Sequence, residues 1–334
     1  MGDNGLTEVL QFRPDFRVET IGTDVVFLIG ENDRFVLSGR HSATVAGLID
    51  GQRSVREIMN TTPDPLQQSE ILYTIRRLKT GGYIVPTARD ISVAGAAFWQ
   101  GIGFDIQNVE KRLSSVSVSV HSLGGISSAA LIESLKRAGL NVSDPGDMVM
   151  VLTDDYLRPE CARINAAALE NHRPWCMVKP VGMTLYIGPV FTPTAGPCWE
   201  CLAHRLRSNR PVERFVGVYR KNEAGFGLPP ISTPSGYAAA CELASNAAAL
   251  ILAGRPENHP LHASLFSLNP TTFESTRHTV VRRPQCPACG DPHLMTAQGE
   301  RPITLEPVDK CAGSEGGYRI QTPWQTFETY AHHI

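Results

Sequence analysis

The 334-residue chain lacks any uninterrupted apolar run of the roughly 18 residues that a membrane-spanning helix needs. The nearest approach, residues 237–253, is broken by Glu242 and Asn246. The first residues carry Asp3 and Glu8 and no apolar h-region, so no secretory signal is read there. An excess of one charge is missing too. The 31 Lys and Arg against 33 Asp and Glu leave a formal net charge of -2, with neither the basic surplus of a nucleic-acid binder nor that of a protein held to an anionic membrane. Internal repeats are absent, which excludes solenoid architectures. Eight cysteines are too few for a disulfide framework in a chain this long. Four of them fall in two Cys-x-x-Cys pairs, which points to a reduced, cytoplasmic setting and a metal.

What is present begins with three short strand signals. Phe16 to Ile21, Val25 to Ile29 and Arg34 to Leu37 are separated by turns at Gly22-Thr23-Asp24 and Gly30-Glu31-Asn32-Asp33. Three helices should follow. Val45, Leu48 and Ile49 lie at helical spacing, and Ser54-Val55-Arg56-Glu57 is a capping box. Asp64-Pro65 supplies an N-cap with proline at the first helical position, opening a helix that ends at Gly81-Gly82. Tyr83-Ile84-Val85 closes the block as a strand. This order over residues 1–90 describes a winged helix. Residues 91–114, with Phe98, Trp99 and Phe104, read as a connector.

A second domain, residues 115–293, opens with the period-2 strand Ser115 to Val120 and the turn Gly124-Gly125. A helix over 129–138, a strand over 148–152 and a helix over 162–170 continue an α/β pattern with a mainly parallel sheet. Cys198-Trp199-Glu200-Cys201 and Cys286-Pro287-Ala288-Cys289 together offer four thiolates, the donor set of a tetrahedral zinc site. Four protein ligands leave no open position, so the zinc is expected to be structural. Cys161, Cys176, Cys241 and Cys311 read as small packing residues. Residues 294–334 are punctuated by Gly and Pro until a helix start at Thr322-Pro323.

The glycine turn departs from a phosphate-binding fingerprint. A full G-x-G-x-x-G register would place glycine at positions 122, 124 and 127, but Ser122 and Ser127 stand at the flanks and only Gly124 remains. Residues 115–293 nevertheless resemble a ThiF/MoeB-type ubiquitin-activating-like domain, of the divergent kind found in azole-peptide biosynthesis. The likeness runs in order through Val120 to Ala130, Leu152-Thr153-Asp154-Asp155, Gly196 to Leu202, Gly236 to Gly254 and Arg283 to Gly290. Active members of that family adenylate a carboxylate and carry Asp-Asn after the acidic strand. Here Asp155 precedes Tyr156, and the segment after Gly139 is too short for the usual ribose-binding strand. The resemblance thus implies a degenerate scaffold in which Ser122, Gly124, Gly125 and Asp155 are a vestigial nucleotide site, with ATP not expected.

Residues 1–90 hold 10 Lys and Arg and 12 Asp and Glu, a balance of 10 − 12 = -2, against the basic face of a DNA-binding winged helix. An edge strand at Arg34, Phe35, Val36 and Leu37 could accept an added peptide strand, with Leu72, Ile75, Arg76 and Lys79 of the third helix as a second wall. This block resembles the PqqD-like recognition element of ribosomal peptide pathways. Gly316-Gly317-Tyr318 through Tyr330 resembles the opening of a YcaO domain. Together these resemblances imply an α/β protein with an N-terminal α+β winged-helix domain that binds a precursor leader peptide. It would present that peptide to a YcaO cyclodehydratase, separate or fused, which forms thiazoline or oxazoline rings from Cys, Ser or Thr in bacteriocin-type biosynthesis. In that role it would have no catalytic residue of its own and could form a homodimer. Two other readings stay open: an ATP-dependent adenylating ThiF-like enzyme, and a zinc-stabilised transcription factor.

Overall fold

The structure is a computed structural model that describes residues 5–87, 91–220, 229, 231–254, 259–299, 311–312, 318–319 and 322–331. The N-terminal domain runs β1 (Val9–Phe12), β2 (Arg17–Ile21), β3 (Val25–Ile29), β4 (Arg34–Ser38), α1 (Ser42–Leu48), β5 (Asp50–Ser54), α2 (Val55–Met59), α3 (Pro65–Thr80) and β6 (Ile84–Pro86). The strands form two antiparallel sheets, ordered β2-β3-β4 and β5-β1-β6. The second sheet rests on β1 and β5, which the hydrophobic pattern does not announce. Each is short, and β5 is the polar run Asp50-Gly51-Gln52-Arg53-Ser54. Both expected helix starts are present. Ser54 and Glu57 close a reciprocal capping box on α2, and the Asp64 carboxylate accepts the Leu66 N–H at 3.0 Å ahead of Pro65. Val45, Val55, Ile58, Ile75, Leu78 and Ile84 are buried together beneath the helices.

Next come α4 (Val93–Gly101), α5 (Ile106–Ser115), β7 (Ser117–Ser122), α6 (Ala129–Arg137), β8 (Asn141–Val142), β9 (Met148–Leu152), α7 (Glu160–Glu170), β10 (Trp175–Lys179), β11 (Leu185–Phe191), α8 (Trp199–Ser208), α9 (Pro211–Arg220), α10 (Pro234–Ala253), β12 (Ser264–Leu268) and β13 (Ser275–Thr279). The strands make one seven-stranded sheet in the order β13-β12-β11-β10-β9-β7-β8. Strands β8, β7, β9 and β10 are parallel, while β11, β12 and β13 continue antiparallel. Every residue of β9 is buried, because helices cover both faces, as parallel sheets require. Met148, Met150 and Leu152 join one core with Val109 and Leu113 of α5, Leu131 and Leu135 of α6, and the alanines of α10. Val149 and Val151 join the other, with Cys161 and Ala168 of α7 and Trp199 and Leu202 of α8.

Helix α10 is long and apolar enough to cross a membrane, but 56% of its apolar window is buried. Its alanines allow close approach to α6, where Glu242 accepts the Ser134 hydroxyl at 2.7 Å and pairs with Arg137. It is a core helix.

Residues 1–282 form one compact unit and 283–334 a second. The second contains α11 (Leu294–Gly299), a hairpin of β14 (Cys311–Ala312) and β15 (Tyr318–Arg319), and α12 (Pro323–Tyr330). Helix α12 begins at Thr322 with a capping box to Gln325. Of the segment that resembles a YcaO opening, Gly316, Gly317, Ile320 and Gln321 lie outside the described residues.

Candidate functional site

The ligand atoms of Cys198, Cys201, Cys286 and Cys289 all lie within 4.8 Å of one another, three of the residues buried and Cys289 half-buried. A tetrahedron with Zn–S bonds of about 2.3 Å has edges of about 3.8 Å, so this donor set fits a zinc ion. The local folding that presents each pair is specific. The Cys201 N–H bonds the Cys198 carbonyl at 3.1 Å, and α8 is anchored by Trp199, whose backbone N–H reaches Asn165 Oδ1 at 3.0 Å and whose indole reaches the Tyr156 carbonyl at 2.8 Å. In the second pair the Cys286 N–H bonds the Arg283 carbonyl at 3.1 Å, and the Gly290 N–H bonds the Cys286 carbonyl at 2.8 Å. A side chain at 290 would meet the Pro284 oxygen at 2.2 Å, so the turn admits only glycine. Cys161 and Cys176 are buried packing residues whose thiols are pushed up to about 12 by burial, which keeps them protonated and unreactive.

The carboxyl ends of β7 and β9 frame the topological switch point, where α/β sheets bind ligands. Gly124 and Gly125 both have positive φ there, +71° and +72°. The space over Gly124 is taken: an added Cβ would lie 2.3 Å from Asp154 Oδ1 and 2.6 Å from Arg158 Nη2. Asp154 and Arg158 form a two-bond pair, with Nη2 to Oδ2 at 2.7 Å, and those hydrogen bonds hold the Asp154 carboxyl below the usual range. This pair therefore contributes to stability above the ordinary carboxylate pKa and loses that contribution as pH falls through the depressed value. Asp155 is buried and accepts Arg210 Nη1 at 2.8 and 3.0 Å. Tyr156 is also buried, its hydroxyl donating to the Gly188 carbonyl at 2.6 Å. The ribose-strand position holds only the two-residue β8. Gly124→Ala should therefore cost about 1–3 kcal/mol, from the strained φ and the displaced ion pair, read by urea unfolding; an unchanged midpoint would show that the pair yields freely.

In the winged-helix domain β4 pairs with β3 alone, so it is a sheet edge. The Gly39 N–H donates to the Asp24 carbonyl at 3.0 Å. By antiparallel alternation Phe35 and Leu37 then turn their backbone groups toward β3, and Arg34, Val36 and Ser38 turn theirs outward. This corrects part of the expected surface. Phe35 and Leu37 pack inward, Phe35 lying edge-on to Phe16 and Tyr83 at 5.7 and 5.2 Å. Val36 is 63% exposed. Ile75 is fully buried and supports the wall from within. Lys79 is paired with Glu8, ahead of β1, and Leu72 packs against the domain core. The side of α3 that reaches β4 carries Arg77, which donates to the Ser38 carbonyl at 2.9 Å. Residues two apart on a helix point about 200° apart, so Arg77 and Lys79 occupy opposite flanks. Arg34, Arg40, Arg76 and Arg77 are exposed, and none makes an ion pair among the described residues. Arg40 and Arg77 are not among the expected peptide-binding residues; Arg77 comes to the β4 edge through a long-range bond to the Ser38 carbonyl.

Residues 11–86 match a family of winged helix-turn-helix domains. Among curated proteins none matches the chain. Of the solved structures, a heterocyclase in complex with substrate and cofactor is 33% identical over 98% of this chain, with a TM-score of 0.82. The heterocyclase TruD is 33% identical over 97%, with a TM-score of 0.83. The chain spans 45% and 47% of the lengths of those two proteins, a little under half. Escherichia coli MccB bound to ATP is 14% identical over 84% of this chain and 99% of its own, with a TM-score of 0.55, a likeness of fold. The match to the heterocyclases covers the winged helix and the α/β domain alike. By sequence and fold together, the chain is similar over nearly its whole length to a part of the TruD heterocyclase.

Proposed function

We propose that the chain is the peptide-recognition scaffold of an azoline-forming heterocyclase, binding a precursor leader along β4 and holding it for a YcaO cyclodehydratase that is separate or fused. The observation that carries this reading is the open β4 edge with outward backbone groups at Arg34 and Val36, set among arginines that make no ion pair among the described residues. An extended acidic peptide satisfies both, through strand addition and charge. Tethering the leader makes modification of the downstream core effectively intramolecular, without demands on the core's own sequence. In this reading the chain supplies no catalytic group. The Asp154–Arg158 pair covers the turn that a phosphate would need, and zinc on four thiolates is closed to substrate.

The test uses the full chain. Labelled leader peptides from azoline pathways, each beside a scrambled version, are titrated by fluorescence polarisation. Binding of one leader with its scrambled form at least about tenfold weaker is expected, the discrimination that one or two buried contacts provide; equal affinities would sink the reading. The competing reading, an adenylating enzyme, is separated by ATP–pyrophosphate exchange. Exchange is expected to stay at background with any peptide present, and turnover by the chain alone would establish adenylation instead.

A further inference from the structure

A cavity of about 250 Å³ lies between α1 and α3, beside the end of β4. Val45, Leu48 and Ile71 give it apolar walls, and Thr44 and Thr74 line it as well. At its rim stand the cationic Arg40 and the imidazole of His41, with Glu70 as the one carboxylate in the lining. Two links set the cavity close to the end of β4. Thr74 stands one turn before Arg77, whose guanidinium holds the outward carbonyl of Ser38, and Arg40 and His41 directly follow Ser38-Gly39 at the close of that strand. His41 is held at φ +61°, a conformation uncommon for residues other than glycine, with its N–H on Asp24 Oδ1 at 3.0 Å.

We propose that this cavity takes one large apolar side chain of the peptide that adds to β4, with acidic residues flanking it. The inference rests on the strand-addition reading above and names the feature the site selects. A strand laid against Arg34 and Val36 arrives at Arg77 and Ser38, where its backbone ladder ends. The next side chain then meets this opening, which is apolar inside and carries Arg40 at its mouth. Backbone bonds alone cannot tell one peptide from another; a walled cavity can, because leaving it unfilled forfeits the burial of a whole side chain.

The probe is a displayed library of random 16-residue peptides, selected against the full chain. The most enriched peptide is resynthesised with fluorescein and titrated against the wild type, Thr44→Trp, which fills the cavity from an exposed position, Arg40→Glu and Val36→Pro. Enriched peptides should share one large apolar residue beside Asp or Glu. Alanine at that residue should weaken binding to the wild type by about tenfold or more, and should weaken binding to Thr44→Trp hardly at all, since the cavity is already filled. Arg40→Glu, on a solvent-exposed side chain, should weaken the same peptide several-fold even if Thr44→Trp does not fold. A peptide that needs Val36 but binds Thr44→Trp and Arg40→Glu as tightly as the wild type would overturn the cavity assignment and leave strand addition standing. Failure to enrich any peptide sensitive to Val36→Pro would overturn both.

Discussion

Val36→Pro is expected to lower affinity for a leader peptide by at least about tenfold while leaving the winged-helix domain folded. Proline removes the Val36 N–H, and the register of β3 and β4 turns that N–H away from the ladder. The sheet therefore loses no internal bond, and proline is tolerated on an edge strand for that reason. An incoming strand loses one backbone hydrogen bond and meets the ring where its own backbone should lie. Circular dichroism and thermal unfolding close to those of the wild type, beside a collapse of peptide binding, would be the signature. The control is Phe35→Leu. Phe35 packs inward against Phe16 and Tyr83, so this change should lower stability more than affinity. If Val36→Pro binds the leader unchanged, the β4 edge is not the docking rail, whatever the arginines around it do.

Loss of the metal should have the larger effect on stability. The purified chain is expected to carry about one zinc per polypeptide by elemental analysis, and Cys286→Ser or prolonged chelation to lower the unfolding temperature by more than about 10 °C. Zinc binding to four- and two-thiolate peptides is worth about 10–16 kcal/mol near neutral pH. A domain of 150 to 250 residues shifts by about 2–4 °C for each kcal/mol, so even a fraction of that energy gives a large change. The fall should be reversed by adding zinc to the chelated wild type but not to the serine variant. Magnesium should not substitute, because thiolates favour the softer ion. A metal-free protein that unfolds at the same temperature as the loaded one would reduce the four cysteines to packing.

Much of this was legible from residues alone, for identifiable reasons. Capping signals are local, so Ser54-x-x-Glu57 and Asp64-Pro65 placed the starts of α2 and α3 correctly. The apolar strand β9 and the amphipathic α6 follow from short-range periodicity. The cysteine spacing pointed to a four-cysteine cluster, which the fold brings together, because a Cys-x-x-Cys turn is itself a local device.

The candidate peptide site depended on long-range facts. Which residues of β4 face outward is a matter of pairing parity with β3, and a slip of one residue would exchange Val36 for Phe35. Helical spacing grouped Leu72, Ile75, Arg76 and Lys79 as one wall, yet packing buried Ile75, tied Lys79 to Glu8 and turned Arg77 toward Ser38. The covering of Gly124 was likewise invisible, since Asp154 and Arg158 come from a different strand end. The sequence by itself determined several helix caps, the apolar central strand and the pairing of cysteines into two Cys-x-x-Cys turns, because these depend on interactions within a few residues. Which side chains face a ligand was decided only by the tertiary structure, because that depends on which distant surfaces pack together and which edge is left uncovered.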